Sequence, residues 1–267
     1  MARMLSRYTK LYYLFCKQNL KVMLEYRMDF LLGVLSVMLQ QFAGIFFVKI
    51  VFDHIHALNG WTFYEILFIY GIAATGRSIH HIFFDNLWTL GWQYIRPGKF
   101  DRLLIRPINP LFHFIADRLQ QDGFGQLFIG IIVIGTAMPH LGISWGILEF
   151  FILVVMIIAS GFIFVAINLF FATLSFWMVD SLPIVWTIFN LSDFARYPLT
   201  IYHKGIRHFL TWIVPYGFTA FYPAAYFIKG SGFERLALLT PVVAIFSCII
   251  AYWFWNRGLK AFTSTGS

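Results

Sequence analysis

WQYIRPGKFDRLLIRPINPLFHFIADR, residues 92–118, is a basic, proline-punctuated island set between long apolar stretches. A polar segment of this length has no place in lipid, so it divides the apolar sequence on its two sides into separate membrane-crossing groups. Around it the chain is greasy. Of its 267 residues, 60% are hydrophobic, 20% aromatic and only 12% charged, with a mean hydropathy of +0.73. That composition excludes an ordinary soluble domain. About 20 apolar residues make one helical crossing of a hydrocarbon core, and six stretches are candidates: 30–48, 63–80, 124–141, 147–171, 183–194 and 236–255. The fifth is the weakest, because Asp180, Pro183, Asn190 and Asp193 interrupt it. The apolar runs are continuous and do not alternate with period two, which argues against a β-barrel.

The formal charge of +8 raises nucleic acid as a partner, but its placement is better explained by topology. With a cytosolic N-terminus and six spans, thirteen of the twenty Lys and Arg residues fall inside and five outside, while Lys49 and Arg77 lie near or within spans. This is the asymmetry of the positive-inside rule, and it places both termini in the cytosol. About 28 residues precede the first apolar run, with no small-residue cleavage site, so no secretory signal is expected. Cys16 and Cys248 are read as two free thiols.

Residues 1–28 have a helical pattern, with Leu5, Tyr8, Leu11, Tyr12, Phe15, Asn19 and Val22 interleaved by Arg7, Lys10, Lys17 and Lys21. Such a helix lies in the headgroup layer with its basic side chains on anionic lipid, or rests on a partner protein, or does both. From Trp61 to Trp92 there is no proline, so span two is expected to run past the hydrocarbon core and carry Asp85 and Trp88 into the cytosol. Pro97-Gly98 stops it, a short helix fits at 99–105, Pro107 and Pro110 break the chain again, and 111–121 is amphipathic. Span three is glycine-rich (Gly123, Gly125, Gly130, Gly135), which predicts close helix packing within the chain or, alternatively, at a dimer seam. Span four is uniformly bulky and is expected to face lipid. Between Asp193 and Arg235 lie two short apolar runs, 203–214 and 219–228, broken by Pro215 and Pro223. Two half-helices that dip into the outer leaflet and return are the economical solution, provided protein or a cavity surrounds them. A surface-lying loop with interfacial aromatics is the alternative.

Ionisable groups within spans call for a functional hypothesis, because a charge at the bilayer centre costs about 2.5–3.5 kcal/mol even on insertion scales. Span two holds Glu65, Arg77, His80, His81 and Asp85. Arg77, His81 and Asp85 follow one another at i, i+4 and i+8 and share a helix face. The favoured reading is a salt-bridged polar stripe of Glu65, Arg77, His81 and Asp85 near the cytosolic end, buried against another helix or subunit. His80 and His81 are adjacent and point apart, a poor metal geometry, and no metal is expected. No GxSxG, HExxH or paired CxxC is present, and Asp180 and Asp193 are too far apart for paired-carboxylate chemistry. Nor is there a GxxxxGK[ST] loop. If ATP drives this chain, a separate polypeptide binds the ATP and its Mg.

Three segments carry a resemblance. PGKFDRLLIRPINPLFHFIADR (97–118), FARYPLTIY (194–202) with IVPYGFTAFYPAAYFI (213–228), and WNRGLKAFTSTGS (255–267) resemble the permease, or membrane subunit, of a bacterial ABC exporter of the type-2 superfamily, the type V architecture. They are most similar to a group whose permeases are commonly encoded in pairs beside one ATPase. The resemblance implies an all-α fold with an interfacial helix at 1–28, a six-span permease domain over 29–256, and a cytosolic tail at 257–267. Within the permease domain it implies a cytosolic coupling loop at 92–122 and an extracellular re-entrant region at 195–235 that includes Pro198, Pro215 and Pro223. The coupling helix would fall on 99–105, with Lys99, Asp101, Arg102, Leu103, Ile105 and Arg106 at the ATPase. The implied partners are two ABC ATPase subunits, a second permease, homologous or identical, and membrane lipids, with no nucleic acid. The mechanism would be ATP-driven alternating access; the motifs say nothing about cargo, and the aromatic-rich spans without a dedicated charged pathway point to an amphiphile (lipid, drug or peptide) for export. The rival readings are a proton-coupled secondary transporter using Glu65, His80 and His81, and a membrane-embedded assembly or immunity protein.

Overall fold

The computed structural model describes residues 2–178, 181–230 and 232–263. Asp180 and the last four residues of the C-terminal ending lie outside them. Among the described residues the fold is helical, with no strand beyond a single bridge between Leu58 and Trp61. In chain order the helices are α1 (Ala2–Glu25), α2 (Arg27–His54), α3 (Phe63–Phe83), α4 (Asp101–Leu104), α5 (Pro110–Ala116), α6 (Asp122–Ala137), α7 (Ile147–Thr173), α8 (Leu182–Leu191), α9 (Lys204–His208), α10 (Phe221–Lys229), α11 (Glu234–Leu238) and α12 (Thr240–Ala261). Among the described residues, four helical segments are long and apolar enough to cross a membrane: Arg27–His54, Asp122–His140, Ile147–Phe176 and Thr240–Ala261. α3 has 21 residues but carries its charged stripe, and α8 has only ten. Ten residues rise about 15 Å, half a hydrocarbon core.

The bundle is built around α3 and α7. α3 packs against α6 and α7, α7 against α12, and α2 lies outside on α6. Glycines of α6 make the α3 contact close. A Cβ on Gly130 would come within 2.8 Å of the Thr75 backbone nitrogen, and one on Gly123 within 2.8 Å of that of Ile82. The glycine-rich span therefore packs within the chain at these positions, as small residues do in lipid. The expectation that span four faces lipid is overturned. The apolar window of α7 is 56% buried, against 11% for α2. Hydropathy cannot separate the two cases, because lipid tails are as apolar as a protein interior. What marks α7 as central is its run of small residues, Ala159, Ser160 and Gly161, all buried; Ser160 donates to the Thr219 carbonyl.

The expected continuous helix from Trp61 to Trp92 is also corrected. α3 ends at Phe83, Phe84 leaves helical geometry at φ −133°, and a 3-10 turn (Asp85–Thr89) and a π-turn (Leu90–Ile95) follow. Absence of proline does not guarantee continuity here, because one tertiary and one local side-chain hydrogen bond hold the turn. Asn86 donates to the Phe114 carbonyl at 3.0 Å, and Thr89 to the Asn86 carbonyl at 2.7 Å. Two of the expected proline breaks are instead helix starts. Pro110 opens α5 beside the Asn109 cap, which accepts from the Phe112 N–H at 3.1 Å. Pro223 sits in the first turn of α10, where its missing N–H costs nothing.

The two ends of the bundle differ. At one end the start of α3 meets the 197–230 region. Asn59 donates to the Thr200 carbonyl, Trp61 Nε1 to Thr200 Oγ1 at 2.8 Å, and the Trp61 and Phe221 rings meet edge to face. From there, residues 204–219 run inward to the middle of α7, and α10 returns to Trp61. The other end carries the island. Its short α4 is stapled down by Phe100, fully buried among Phe176, Trp255 and Phe262 at ring distances of 5.2, 6.2 and 5.1 Å. A buried phenylalanine of this kind contributes about 1.5–3 kcal/mol relative to water.

Candidate functional site

A cavity of about 400 Å³ lies between α2, α3, the start of α6, α8 and the 192–196 turn. For a space inside a membrane bundle its walls are unusually polar. Gln40 and Gln41 come from α2, Arg77, His80 and His81 from α3, Gln120, Asp122 and Gln126 from the α6 entry, and Asn190, Asp193 and Arg196 from α8 and the turn after it. Asp85, three aromatic side chains (Trp88, Trp186 and Phe189) and two valines (Val37 and Val185) complete it.

The expected stripe on α3 is here, but its ion pairing runs between elements. Arg77 is buried and donates from Nη1 to Asp193 Oδ1 at 2.8 Å, while Arg196 Nη2 lies 3.1 Å from the same oxygen. The Arg77 guanidinium also sits over the Phe189 ring, 3.9 Å from its centroid. His81 approaches Asp85 (Nε2 to Oδ1, 3.7 Å) and Gln126 (Nδ1 to Oε1, 3.2 Å). His80 is 2% exposed, and neither of its ring nitrogens has a partner. Sequence reading took Asp193 for an interruption of span five and missed it as the counterion of Arg77. The signal was available, since a buried guanidinium demands a carboxylate somewhere nearby. Gln40 and Gln41 gave none, because amides on an otherwise apolar helix read as tolerated exceptions.

Glu65 does not join this stripe. It lies at the far end of α3, where Oε2 accepts from the Thr62 N–H at 2.7 Å and Oε1 meets Lys229 Nζ at 2.7 Å. Lys229 also rides over the Trp61 ring at 4.8 Å, so Glu65 ties α10 to α3. Among the described residues no group of three or more His, Cys, Asp or Glu side chains is arranged to hold a metal. Cys16 and Cys248 are free.

The second polar site is a cleft of about 220 Å³ on the island, lined by Gln93, Tyr94, Lys99, Arg102, Arg106, Asp117 and others. Of the expected docking residues, Lys99, Arg102 and Arg106 are exposed, and Ile105 stands out at 83% exposure. Asp101 is half-buried. Leu103 is 5% exposed and belongs to the Phe100 cluster, so it anchors the helix from below. Arg106 Nη1 lies 2.8 Å from His113 Nε2. Arginine only donates, so Nε2 accepts and the neutral ring carries its proton on Nδ1. Burial, reinforced by Arg106, holds the His113 pKa below its ordinary value. Tyr94 donates to Asp117 Oδ2 at 3.1 Å, and burial together with that carboxylate raises its pKa to about 12. The N-terminal helix α1 packs on the same loop through Tyr8 against Phe112 and Asn19 against the backbone of Asp117 and Leu119.

Pro198 and Pro215 each precede a short 3-10 turn, at 199–201 and 216–219. Tyr216 is fully buried, and its hydroxyl donates to the Ile188 carbonyl at 2.9 Å.

Compared with known proteins, the chain matches the family model described as "ABC-2 family transporter protein" over residues 38–266. No curated protein and no solved structure matches it. The matched region takes in the polar residues of the cavity, the island, the second half of α2 and the other three apolar helices, and the chain belongs to the ABC-2 transporter family as a membrane permease component.

Proposed function

We propose that this chain is the permease subunit of an ATP-driven exporter, working with a second permease, homologous or identical, and two copies of a separate ATPase. The family match over residues 38–266 carries the reading. In this proposal six segments cross the membrane: the four long apolar helices, α3, and α8 continued by residues 192–202. Both termini and the island are cytosolic. Residues 204–229 form the re-entrant pair, a reading supported by the contact of Thr219 with Ser160 inside the bundle and the return of α10 to Trp61.

The mechanism follows from how the island is mounted. Arg102 on the four-residue helix α4, with Lys99, Ile105 and Arg106 flanking it, is presented outward, where a partner's acidic and apolar surface can meet these side chains. Phe100 and Leu103 beneath lock that helix to the 3-10 turn that ends α7 and to α12 through Phe176 and Trp255. A push on α4 by closing ATPase subunits therefore passes into two spanning helices. The break at Phe84 separates the cavity-lining part of α3 from the island and is the natural hinge. Coupling requires only that the ATPase contact α4 differently in its two states. Cargo of amphiphilic type would occupy the polar cavity in the inward-facing state. Proton coupling is not favoured, because Glu65 is engaged in a cap and an ion pair remote from His80 and His81.

The test is to co-express this chain with an ATPase and second permease, purify through this chain, and reconstitute it. ATP-dependent movement of an amphiphile, lost on Arg102→Glu with Arg106→Glu, is expected. Failure of any ATPase to co-purify, with transport intact after charge reversal, overturns the proposal.

A further inference from the structure

We propose that the island-side end of the cavity binds a lipophilic organic cation, seated on Trp88 and Trp186 and against the carboxylates of Asp85 and Asp122. This rests on the permease reading and names the class of cargo.

Charge is the first reason. The two guanidiniums of the cavity, Arg77 and Arg196, converge on the single oxygen Asp193 Oδ1. Among the described residues, neither Asp85 nor Asp122 forms an ion pair with Lys or Arg. Asp85 has His81 at 3.7 Å, and Asp122 accepts from Gln120 Nε2 at 3.1 Å. Arg118, within electrostatic reach of Asp85, is exposed and does not line the cavity. The walls therefore carry one more carboxylate than guanidinium, and the excess lies at the island side.

The aromatic panel is the second reason. The Trp88 and Trp186 rings lie 6.1 Å apart at 38°, and Trp186 stacks on Phe189 at 6.0 Å. Phe189 already holds a cation, the Arg77 guanidinium, on its face. Trp88 and Trp186 extend that panel toward Asp85, and indole faces are the strongest of the aromatic cation acceptors.

The third is His80. A 2%-exposed imidazole with no partner on either nitrogen is a desolvated group waiting for one. It lines this same cavity, so a hydroxyl, amine or carbonyl on the ligand would satisfy it. A volume of about 400 Å³ suits a small organic molecule. An anion would meet two carboxylates that no Lys or Arg neutralises and find both arginines already engaged.

The probes are tetraphenylphosphonium and tetraphenylborate, which share a shape and differ in the sign of their charge. Equilibrium binding is measured to the full chain in lipid nanodiscs without ATPase, after subtraction of empty discs. Saturable binding of the phosphonium alone is expected. Asp85→Asn and Asp122→Asn should each weaken it roughly tenfold, and Trp186→Ala by several-fold, with Trp186→Phe retaining most of the affinity. Trp186 is half-exposed on α8, so its variants report even where a carboxylate variant does not fold. No saturable phosphonium binding, equal saturable binding of the borate, or full affinity in Trp186→Ala overturns the proposal. Absent cation binding with intact ATP-driven transport of other amphiphiles would sink this inference and leave the permease. Saturable cation binding in a chain that never couples to an ATPase would sink the permease reading alone.

Discussion

Arg77 and Asp193 stand 116 positions apart in the chain, and 2.8 Å separates the Nη1 of one from the Oδ1 of the other. The pair joins the buried middle of α3 to the turn that follows α8, the least regular of the proposed crossings. Because Arg77 is enclosed and Asp193 is 51% exposed, the two partners are not equivalent. Removing the arginine leaves a carboxylate that water can reach. Removing the carboxylate leaves a buried guanidinium with only the Phe189 face.

Asp193→Ala is therefore expected to destabilise the detergent-solubilised chain more than Arg77→Met does. A fully buried pair broken on one side costs about 3–5 kcal/mol. Exposure of Asp193 discounts that to roughly 1–3 kcal/mol. Thermal unfolding of the two variants and of Arg77→Met with Asp193→Ala decides it. Equal losses in both single variants would remove the asymmetry.

The pair also shows what the sequence could and could not convey. Hydropathy located α2, α6, α7 and α12, because in lipid the length of an apolar run is itself the structural constraint. Prolines located the island, although Pro110 opens α5 where a break was expected. Contacts between remote elements were out of reach. Nothing local links Asp193 to Arg77, turns α3 at Phe84 through an amide on Phe114, or puts α7 inside and α2 outside. The short helix at 99–105 was legible in position. Which of its residues point outward was not, since a four-residue helix has no periodicity from which to infer that Leu103 lies under Arg102.

That distinction yields a paired test on the island. Arg102→Glu changes an exposed charge and should leave thermal stability within about 0.5 kcal/mol, while greatly reducing ATPase capture on co-purification. Phe100→Ala empties the center of an aromatic cluster and should cost about 3–5 kcal/mol. An Arg102→Glu chain that keeps both its stability and its ATPase would show that the exposed face of α4 is not the contact.

His113 gives the island a pH dependence of defined sign. Its ring is buried, faces Arg106, and has a pKa held below 6.5 in the folded chain. Below about 6.5 the unfolded chain takes up a proton that the folded ring refuses. The stability contributed by the neutral ring is fully present above that value and is lost as pH falls toward the folded pKa. Unfolding midpoints of wild type and His113→Gln, compared from pH 7.5 to 5, should converge on acidification. Parallel curves would assign the acid sensitivity to other groups.

Glu65 separates ATP coupling from proton coupling. Its carboxylate caps α3 at the Thr62 N–H and pairs with Lys229 at the end of the bundle away from the island. Glu65→Gln keeps an acceptor for the cap and weakens an ion pair whose lysine is one-third exposed, a loss of about 0.2–1 kcal/mol. Reconstituted with its partners, the variant should transport at close to the wild-type rate whenever ATP is present, and should remain inactive without it. A permease driven through α4 has no use for a proton acceptor at the opposite end of α3. Loss of transport in Glu65→Gln with ATP hydrolysis unchanged would instead mean that charge movement at this end is part of the cycle, and the mechanism would have to be rebuilt around it.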